Sequence, residues 1–367
     1  MAEILFVTWD GGGNVPPAVG IARELQRRGH TVRFLGHAGQ EQAITAAGFE
    51  FVRPTRARPF SSRRVNSPLT MLATFADRGL GHDLLAEVGR RPADLVVVDC
   101  LMVGAMHAAH QAGLRYAVLE HFFDEYYRRG VLTGAMGLNL RVRRLRPQAA
   151  LDAAAVRLVT SLPELDPLPG GAHNLTQVGP VLEAGVPAPG SDPLVLVTLS
   201  TYAYRGMQRS LQAVVDATTG LDARVVVTTG PVIDPADVRA APGVEVHRFV
   251  PHAELMPAAT LFVGHGGHGG TMSALAHDLP TVLMPMYDWA DQPLVARSVE
   301  RAGAGRVVDR KATPDQLRPV LAELLEDSPH RVQAAKLGAA IRSMPGATNG
   351  ADALESVLEP TPSRPAG

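Results

Sequence analysis

The chain has 367 residues, of which 46% are hydrophobic and 19% are charged, and its formal net charge is -1. These values predict two folded domains and exclude a disordered chain, and nothing in the charge supports a nucleic-acid partner. A single cysteine, Cys100, excludes a disulfide framework and a cysteine-rich metal site. The N-terminus has no signal-peptide pattern and no apolar run is long enough to cross a bilayer, so we expect a cytoplasmic protein without a membrane span.

Short apolar runs alternate with amphipathic segments along the first half of the chain. Predicted strands lie at residues 4–7, 31–35, 49–52, 94–99, 116–119 and 156–160, the last being the final strand of this half. Predicted helices lie at residues 18–28, 41–47 and 103–111. The continuous apolar run at 95–98 is typical of a parallel strand that is covered on both faces.

A Pro- and Gly-rich segment at residues 182–191 separates this half from a second one. We place a first domain at residues 1–185 and a second at residues 192–345. The second half repeats the pattern, with strands predicted at 194–199 and 223–229 around a helix. This alternation predicts an α/β fold with two doubly wound parallel sheets.

The most informative motif of the second half is the glycine-rich stretch GHGGHGGT, from Gly264 to Thr271. It follows an apolar run at 259–263 and precedes a predicted helix that starts at Met272. Such a turn leaves backbone N–H groups uncovered at the positive end of a helix dipole, which suits a phosphate or a pyrophosphate. Taken alone, the segment also fits a tight turn with incidental histidines.

Two flanking segments extend this motif. Residues 244–257 contain a strand, the run FVPH and a short helix, and residues 280–293 contain a strand followed by an Asp-Gln pair. The order resembles the donor-binding half of nucleotide-sugar-dependent glycosyltransferases, in the family of plant UDP-glycosyltransferases and bacterial natural-product glycosyltransferases. The resemblance implies two facing Rossmann-like domains (the GT-B fold), with the helix at 346–358 packing back on the first domain.

The resemblance also implies a donor site at the carboxyl ends of the strands in the second domain. Its residues would be Ser200, Thr201, Phe249, Val250, His265, Gly267, Gly269, Gly270, Thr271, Asp291 and Gln292. His265, the glycine amides and the hydroxyls would hold the diphosphate, and Phe249 would stack on the base beside the backbone of Val250. Asp291 and Gln292 would bind hydroxyls of the sugar. The alternatives are core packing for Phe249 and Val250 and a helix N-terminus for the Asp-Gln pair.

The sequence departs from the plant pattern at Ser273, where those enzymes carry a glutamate that binds the ribose hydroxyls. We therefore expect a preference for a dTDP-sugar, whose deoxyribose lacks the 2′-hydroxyl, while UDP-sugars stay open. No acidic cluster suggests a metal site, and the resemblance implies no metal and no cofactor beyond the nucleotide-sugar co-substrate. Loop amides and the helix dipole would neutralise the departing diphosphate.

A second departure concerns the catalytic base. The first loop of these enzymes reads Gly-His-x-x-Pro, and its histidine takes the proton from the acceptor, but Asn14 occupies that position here. An amide cannot act as a base at neutral pH. Asp99, which matches the aspartate that orients this histidine, is the favoured base, with Asp10 and the pair His121 and Asp124 as alternatives. An acidic acceptor, a late proton transfer or a weakly active protein would also accommodate Asn14.

The sequence therefore predicts an inverting, metal-independent glycosyltransferase that moves a sugar from a dTDP- or UDP-sugar to a hydrophobic small molecule, such as an antibiotic or another secondary metabolite. Residues that suit an apolar acceptor cleft, although such stripes are more often core, are Met102, Met106, Phe122, Phe123, Tyr126, Tyr127 and Met136. The alternative functions are a nucleotide-sugar 2-epimerase and a donor-binding auxiliary or degenerate transferase. The sequence leaves a homodimer open.

Overall fold

A computed structural model of the protein describes residues 1–171, 173–182, 185, 187–188, 192–326 and 328–358. Most of the predicted linker at 182–191 lies outside these residues, so the domain limits stay predictions. None of the helices in this described part of the chain is long and apolar enough to span a membrane.

The first sheet has seven strands, and every pairing within it is parallel. The strands are β1 Glu3–Val7, β2 Thr31–Leu35, β3 Glu50–Val52, β4 Leu95–Asp99, β5 Tyr116–Glu120, β6 Val156–Val159 and β7 Leu175–Gln177. Their spatial order is β3-β2-β1-β4-β5-β6-β7. The prediction that the strand at 156–160 is the last of this half was wrong, because the short edge strand β7 pairs with β6.

The second sheet has six strands and is also parallel in every pairing. The strands are β8 Leu194–Thr198, β9 Arg224–Thr228, β10 Val244–His247, β11 Leu261–Gly264, β12 Thr281–Leu283 and β13 Gly305–Val307, in the spatial order β10-β9-β8-β11-β12-β13. Together the two sheets give the predicted α/β fold with two Rossmann-like, doubly wound sheets.

Helices cover the sheets. They are α1 Val15–Arg27, α2 Glu41–Ala46, α3 Pro68–Phe75, α4 Arg78–Arg90, α5 Val103–Gln111, α6 Asp124–Tyr126, α7 Gly134–Val142, α8 Pro147–Asp152, α9 Met207–Thr218, α10 His252–Leu255, α11 His268–Ala276, α12 Gln292–Arg301, α13 Pro314–Leu325, α14 Pro329–Arg342 and α15 Gly346–Ser356. Short 3-10 turns occur at Ala38–Gln40, Pro235–Asp237 and Met256–Ala258, and a π-helical segment spans Tyr127–Leu132.

The central strand β1 shows how the apolar pattern builds two cores. Successive side chains of a strand point to opposite faces. Ile4 and Phe6 pack in a core with α1 and α15, while Leu5 and Val7 pack in the core on the other face of the sheet. All four residues are buried, which explains why the strand is a continuous apolar run rather than an alternating one.

The last helix, α15, packs on α1 of the first sheet. Gly350 allows this close approach, since a Cβ atom there would lie 2.9 Å from the Ile21 side chain. Arg28 donates to Asp352 and Glu355 at 2.6 Å in both cases. The Nε2 atom of His30 lies 2.9 Å from the Glu355 carboxylate. The end of the described chain is thereby fixed to the first sheet although it follows the second one in sequence.

Candidate active site

A cavity of about 1100 Å³ is lined by residues from both halves of the chain. In each sheet the strand order reverses once, between β1 and β4 in the first and between β8 and β11 in the second. Open parallel sheets bind ligands at the carboxyl ends of the strands, at this point of reversal. The loops that follow β1 and β8 both contribute to the cavity wall, so the topology places the cavity where such a fold binds its ligands.

The glycine-rich motif forms a shorter loop than predicted. Helix α11 begins at His268 rather than at Met272, so Gly269, Gly270 and Thr271 lie in its first turn. Glycine has a low helix propensity, which hid this turn from the sequence pattern. The first amides of a helix have no partner within the helix. Because the two glycines line the cavity, this helix end is open to an anionic ligand.

The loop itself is shaped by two glycines. Gly266 has a φ of 76°, in the left-handed region that favours glycine. A Cβ atom on Gly267 would lie 2.4 Å from Nε2 of His265, so the imidazole packs directly on this glycine. The loop therefore holds His265 against the backbone that leads into α11.

Both histidines of the motif are neutral in this environment. Burial lowers the pKa of His265 to about 4 and that of His268 to about 3. They can donate or accept a hydrogen bond at neutral pH, but they bring no positive charge. Four cationic side chains that the sequence did not single out line the same cavity, namely Arg205, Arg209, Arg310 and Lys311.

Two of the predicted donor residues, Asp291 and Gln292, have different environments. The Asp291 carboxylate lines the cavity, and burial raises its pKa to about 6 although His121 and the backbone N–H groups of His268 and Gln292 favour its charged form. Gln292 is 1% exposed, and its side-chain oxygen accepts from the backbone N–H groups of Met286, at 2.7 Å, and of the next residue. Both residues line the cavity, but the side-chain oxygen of Gln292 holds the loop after β12, whereas Asp291 brings a carboxylate to the cavity.

The loop after β8 carries the predicted hydroxyl residues. Ser200 and Thr201 both line the cavity. The hydroxyl oxygen of Ser200 accepts from the backbone N–H of Tyr202 at 2.9 Å. Thr201 lies against the first half, because a Cβ atom on Gly12 would be 3.1 Å from its hydroxyl oxygen. The Thr201 hydroxyl is therefore placed at the junction between the two halves, and the Ser200 hydroxyl is held within its own loop.

The structure does not bring every predicted donor residue to the cavity. Phe249 is 76% exposed and Val250 is half-buried, and neither is among the residues that line the cavity. Thr271 does line it, but its buried hydroxyl has no hydrogen-bond partner among the described residues. The assignment of Phe249 to base stacking stays a prediction.

Three stacked tyrosines, which sequence reasoning missed, form part of the cavity wall. The ring of Tyr204 lies 5.0 Å from that of Tyr202 and 6.0 Å from that of Tyr287, and both pairs are stacked. Burial raises the pKa of Tyr204 far above its usual value, so its hydroxyl stays protonated. Their place in the sequence could have indicated this role, since all three tyrosines follow the carboxyl ends of β8 and β12, where such folds bind their ligands.

On the first-sheet side, Asn14, Asp99 and His121 form one cluster. The Asn14 amide donates to Oδ2 of Asp99 at 2.9 Å and to the carbonyl of Trp9 at 3.0 Å. The backbone N–H of Leu101 donates to Oδ1 of Asp99 at 2.9 Å. Nδ1 of His121 lies 3.2 Å from Oδ2 of the same carboxylate. Asn14 and His121 line the cavity, whereas Asp99 lies behind them, outside the described cavity wall.

The other two carboxylates considered for the base have structural partners. Asp10 accepts from the backbone N–H and the hydroxyl of Ser62, at 3.2 and 3.1 Å. Asp124 is fully buried and contacts Arg128 at 2.5 Å and Arg157 at 3.4 Å. Neither carboxylate is among the described residues of the cavity wall.

Asp99, Cys100 and His121 also place three ligand-type atoms within 4.8 Å of one another. Cys100 is fully buried, and desolvation together with the charge of Asp99 raises the pKa of its thiol well above the usual value. A metal-binding cysteine must be deprotonated, and Asp99 already accepts two hydrogen bonds. The Asp99 oxygens are therefore already engaged by the Asn14 amide and the Leu101 backbone N–H.

Much of the apolar part of the wall comes from the first half, and the second half adds Phe262, Met286 and Trp289. Of the seven predicted acceptor residues, Phe122, Tyr126 and Met136 line the cavity, and the other four are buried in cores. Further apolar side chains at this wall are Trp9, Met71, Leu72, Phe75 and Leu101. The Tyr126 hydroxyl donates to the carbonyl of Trp289 at 2.7 Å, which links the two halves across the cavity.

Comparison with known proteins agrees with this geometry. Residues 212–357 match the family described as erythromycin biosynthesis protein CIII-like, C-terminal domain. The chain is 23% identical to an uncharacterized UDP-glucosyltransferase, YojK, of Bacillus subtilis, over 99% of each chain.

Two solved structures share the fold. One is the glycotransferase of kitacinnamycin, with a TM-score of 0.79 and 24% identity over 98% of this chain and 99% of that chain. The other is the glycosyltransferase VinC in complex with dTDP, with a TM-score of 0.72 and 21% identity over 97% and 99%. The chain is a glycosyltransferase of the natural-product type, and it is similar in sequence and fold to the GT-B enzymes that include the UDP-glycosyltransferases and the bacterial natural-product glycosyltransferases.

Proposed function

We propose that the protein transfers a sugar from a dTDP- or UDP-sugar to a hydrophobic small molecule, with inversion at the anomeric carbon and without a metal ion. One observation carries the proposal. A single cavity has the open amides of α11 and the Asp291 carboxylate on one side, and an apolar wall with the His121–Asp99 pair on the other. This arrangement provides for a diphosphate, a sugar and an apolar acceptor at once.

The donor side fits a nucleoside diphosphate. The helix end at Gly269 and Gly270 offers backbone donors and a positive dipole end, and Arg209 and Lys311 add charge along the same wall. The bound dTDP of the similar protein VinC supports a nucleoside diphosphate as the ligand. Ser273, in place of the glutamate that plant relatives carry, favours dTDP over UDP.

The proposed chemistry is a single displacement. The acceptor oxygen forms a bond to the anomeric carbon while the bond from that carbon to the diphosphate oxygen breaks, so the configuration inverts. The acceptor proton goes to a base of the protein, and the charge that develops on the diphosphate is stabilised by the α11 amides and the helix dipole. These groups would allow the leaving group to depart without a metal.

The acceptor side fits an apolar, aromatic molecule. Phe75, Phe122 and Met136 give the wall a hydrophobic surface with few polar groups. Such a wall binds an aglycone through burial of apolar area rather than through charge. A donor-binding protein without transferase activity is the second candidate, and Asn14 is the observation that favours it.

The test is a panel of UDP- and dTDP-sugars offered with phenolic and alcoholic aglycones, in buffer with and without EDTA. We expect a glycosylated aglycone by mass spectrometry, an inverted anomeric configuration by NMR and no effect of EDTA. Retention, or loss of transfer in EDTA that added Mg²⁺ restores, contradicts the mechanism. Epimerised donor without transfer would identify an epimerase, and nucleotide binding without turnover would identify the donor-binding candidate.

A further inference from the structure

We infer that His121, rather than Asp99, takes the acceptor proton, with Asp99 as the positioning residue for its imidazole and Asn14 as the positioning residue for Asp99. The inference rests on the proposed function and assigns the base within it. The base would thus be carried by the end of β5 instead of by the loop after β1.

The geometry around one oxygen carries this inference. Oδ2 of Asp99 lies 2.9 Å from the Asn14 amide and 3.2 Å from Nδ1 of His121. Asn14 follows β1 and His121 follows β5, and these strands flank β4, which ends at Asp99. Asn14 and His121 therefore contact the Asp99 carboxylate from the two strands on either side of β4. The imidazole is carried by the β5 side, and the β1 side carries the amide.

Access separates His121 from Asp99. Asp99 is 3% exposed and lies outside the described cavity wall, whereas His121 is 9% exposed and forms part of that wall. A base must approach the proton that it removes to within hydrogen-bond distance. His121 also borders the apolar wall, since its ring lies 4.5 Å from that of Phe122.

The two nitrogens of His121 have different roles in this arrangement. Nδ1 is buried and lies 3.2 Å from Oδ2 of Asp99, which is within hydrogen-bond distance. The two atoms are not aligned for a hydrogen bond in the unliganded protein. Such bonds are often loose before a substrate is bound, and a small ring rotation completes this one. With the proton held on Nδ1, the neutral imidazole has its lone pair on Nε2.

Nε2 of His121 accepts the proton of the acceptor hydroxyl as the oxygen bonds to the anomeric carbon and the bond to the diphosphate breaks. The imidazolium that forms is stabilised by the Asp99 carboxylate, which keeps its charge. Asn14 cannot accept the proton, but its amide fixes Oδ2 of Asp99 in place.

The first experiment compares His121→Ala with the wild-type protein on two acceptors, an aliphatic alcohol and an acidic phenol, with the same donor. Loss of a general base typically costs 10²- to 10⁴-fold, so we expect kcat to fall by roughly a hundredfold or more for the alcohol. A phenol that is already largely ionised needs little help, and we expect less than about a tenfold loss there. His82→Ala, on the exposed face of α4, is the matched control and should leave both rates unchanged.

Nucleotide affinity, measured by calorimetry with dTDP and UDP, should be the same in His121→Ala as in the wild type. Unchanged transfer to the alcohol overturns the inference alone. Equal losses for alcohol and phenol at unchanged nucleotide affinity also overturn it, because they indicate a structural role. A wild-type protein that transfers no sugar to any acceptor overturns the proposed function as well.

The second experiment exchanges the two positions around Asp99. His121→Asn should lose transfer to the alcohol, and the double variant His121→Asn with Asn14→His should recover much of it, because the new imidazole again faces Oδ2 of Asp99. Circular dichroism and dTDP affinity report whether each variant is folded. A double variant that is folded and binds dTDP but gains nothing over His121→Asn overturns the role of Asp99 as the residue that orients the base.

Discussion

The donor side of the cavity is built largely from backbone, whereas the acceptor side is built from side chains. On the donor side, the strand β11, a short glycine loop and the helix α11 follow one another without interruption, and this connection alone aims amides at the cavity. On the acceptor side, Asn14 and Asp99 are 85 residues apart in sequence and meet only through the order of the strands. The donor side therefore leaves a local signature in the sequence, and the acceptor side does not.

This difference also governs what substitution does. An amide at a helix end persists whatever the side chain is, so Gly269 and Gly270, where an added Cβ meets no close atom, have room for a side chain, whereas Gly266 and Gly267 do not. The proton-transfer cluster depends on particular functional groups, and an imidazole can contact the same carboxylate from either of two neighbouring strands. Asn14 is then compatible with a working transferase, because His121 lies beside the same oxygen of Asp99.

The largest loss of transfer on the donor side is expected at Asp291, whose carboxylate lines the cavity. Asp291→Asn should lower transfer by roughly a hundredfold or more, because it replaces one of the two accepting oxygens with an NH2 donor and removes the negative charge, while affinity for free dTDP and UDP stays the same. Steady-state kinetics and calorimetry test this. Equal losses in both measurements would show that the side chain supports the loop rather than the sugar.

The same variant should stabilise the unliganded protein. Burial raises the folded-state pKa of Asp291 to about 6, above the value of about 3.9 expected in an unfolded chain. Between these pH values the folded protein keeps a proton that the unfolded chain has lost, so stability falls as the pH rises through this window. Asn cannot ionise, and the Tm of Asp291→Asn should exceed that of the wild type at pH 7 and approach it near pH 4.

Asp288→Asn is the matched control for that measurement. The exposed Asp288 carboxylate pairs with Arg310 at 2.9 Å, and this partner lowers its pKa. The change of stability with pH is therefore opposite to that for Asp291. The Asp288 carboxylate stabilises the fold above its unfolded pKa, and this contribution is lost as the pH falls. We expect Asp288→Asn to lower Tm slightly at pH 7, since exposed ion pairs contribute little. A Tm gain in both variants would refute the assignment to burial.

An intermediate effect is expected for nucleotide choice. Ser273 is half-buried in α11 and is not among the described residues of the cavity wall. Ser273→Glu would add a carboxylate that can accept from both ribose hydroxyls, so kcat/KM for a UDP-sugar should rise by about tenfold relative to the dTDP-sugar, as expected for one charge-assisted contact. Ser273→Gln is the control, and an equal shift in both variants, or a wild type that strongly prefers UDP, contradicts the argument.

The sequence was sufficient to predict those strands and helices whose hydrophobic pattern has the period of the element that forms. The runs of β1 and β4 are apolar because both faces of the sheet are covered, and the helix pattern of α1 is regular, with Ala18, Ile21, Ala22 and Leu25 buried on one face. It was insufficient for α3, in which only Thr74 and Phe75 are buried, because a helix with so little buried surface has no clear apolar stripe. The strand β7 has three residues and lies at the sheet edge, so it too gives a weak signal.

For the site, the sequence located the amide-rich helix end but misjudged where α11 begins. It named Asp99 and His121 as alternatives, although they form one cluster through tertiary contacts that no local pattern encodes. The stacked rings around Tyr204 also depend on two loops that meet only in the folded chain. Residue spacing therefore predicts groups that are close in sequence, and strand order is needed for the others.

The smallest effect is expected where the two sides of the cavity touch. The Tyr126 hydroxyl, kept protonated because burial raises its pKa, donates to the carbonyl of Trp289 in the other half. Tyr126→Phe removes this bond but keeps the ring, and one neutral hydrogen bond is worth about 1 kcal/mol. Because the bond joins the two halves at the cavity wall, KM for the donor should rise by about fivefold while kcat changes little. Tyr116→Phe is the control, since that hydroxyl bonds to the Ala150 carbonyl within the first half and its loss should lower Tm without changing KM. Equal KM changes in the two variants would show that the contact between the halves has no special role in binding.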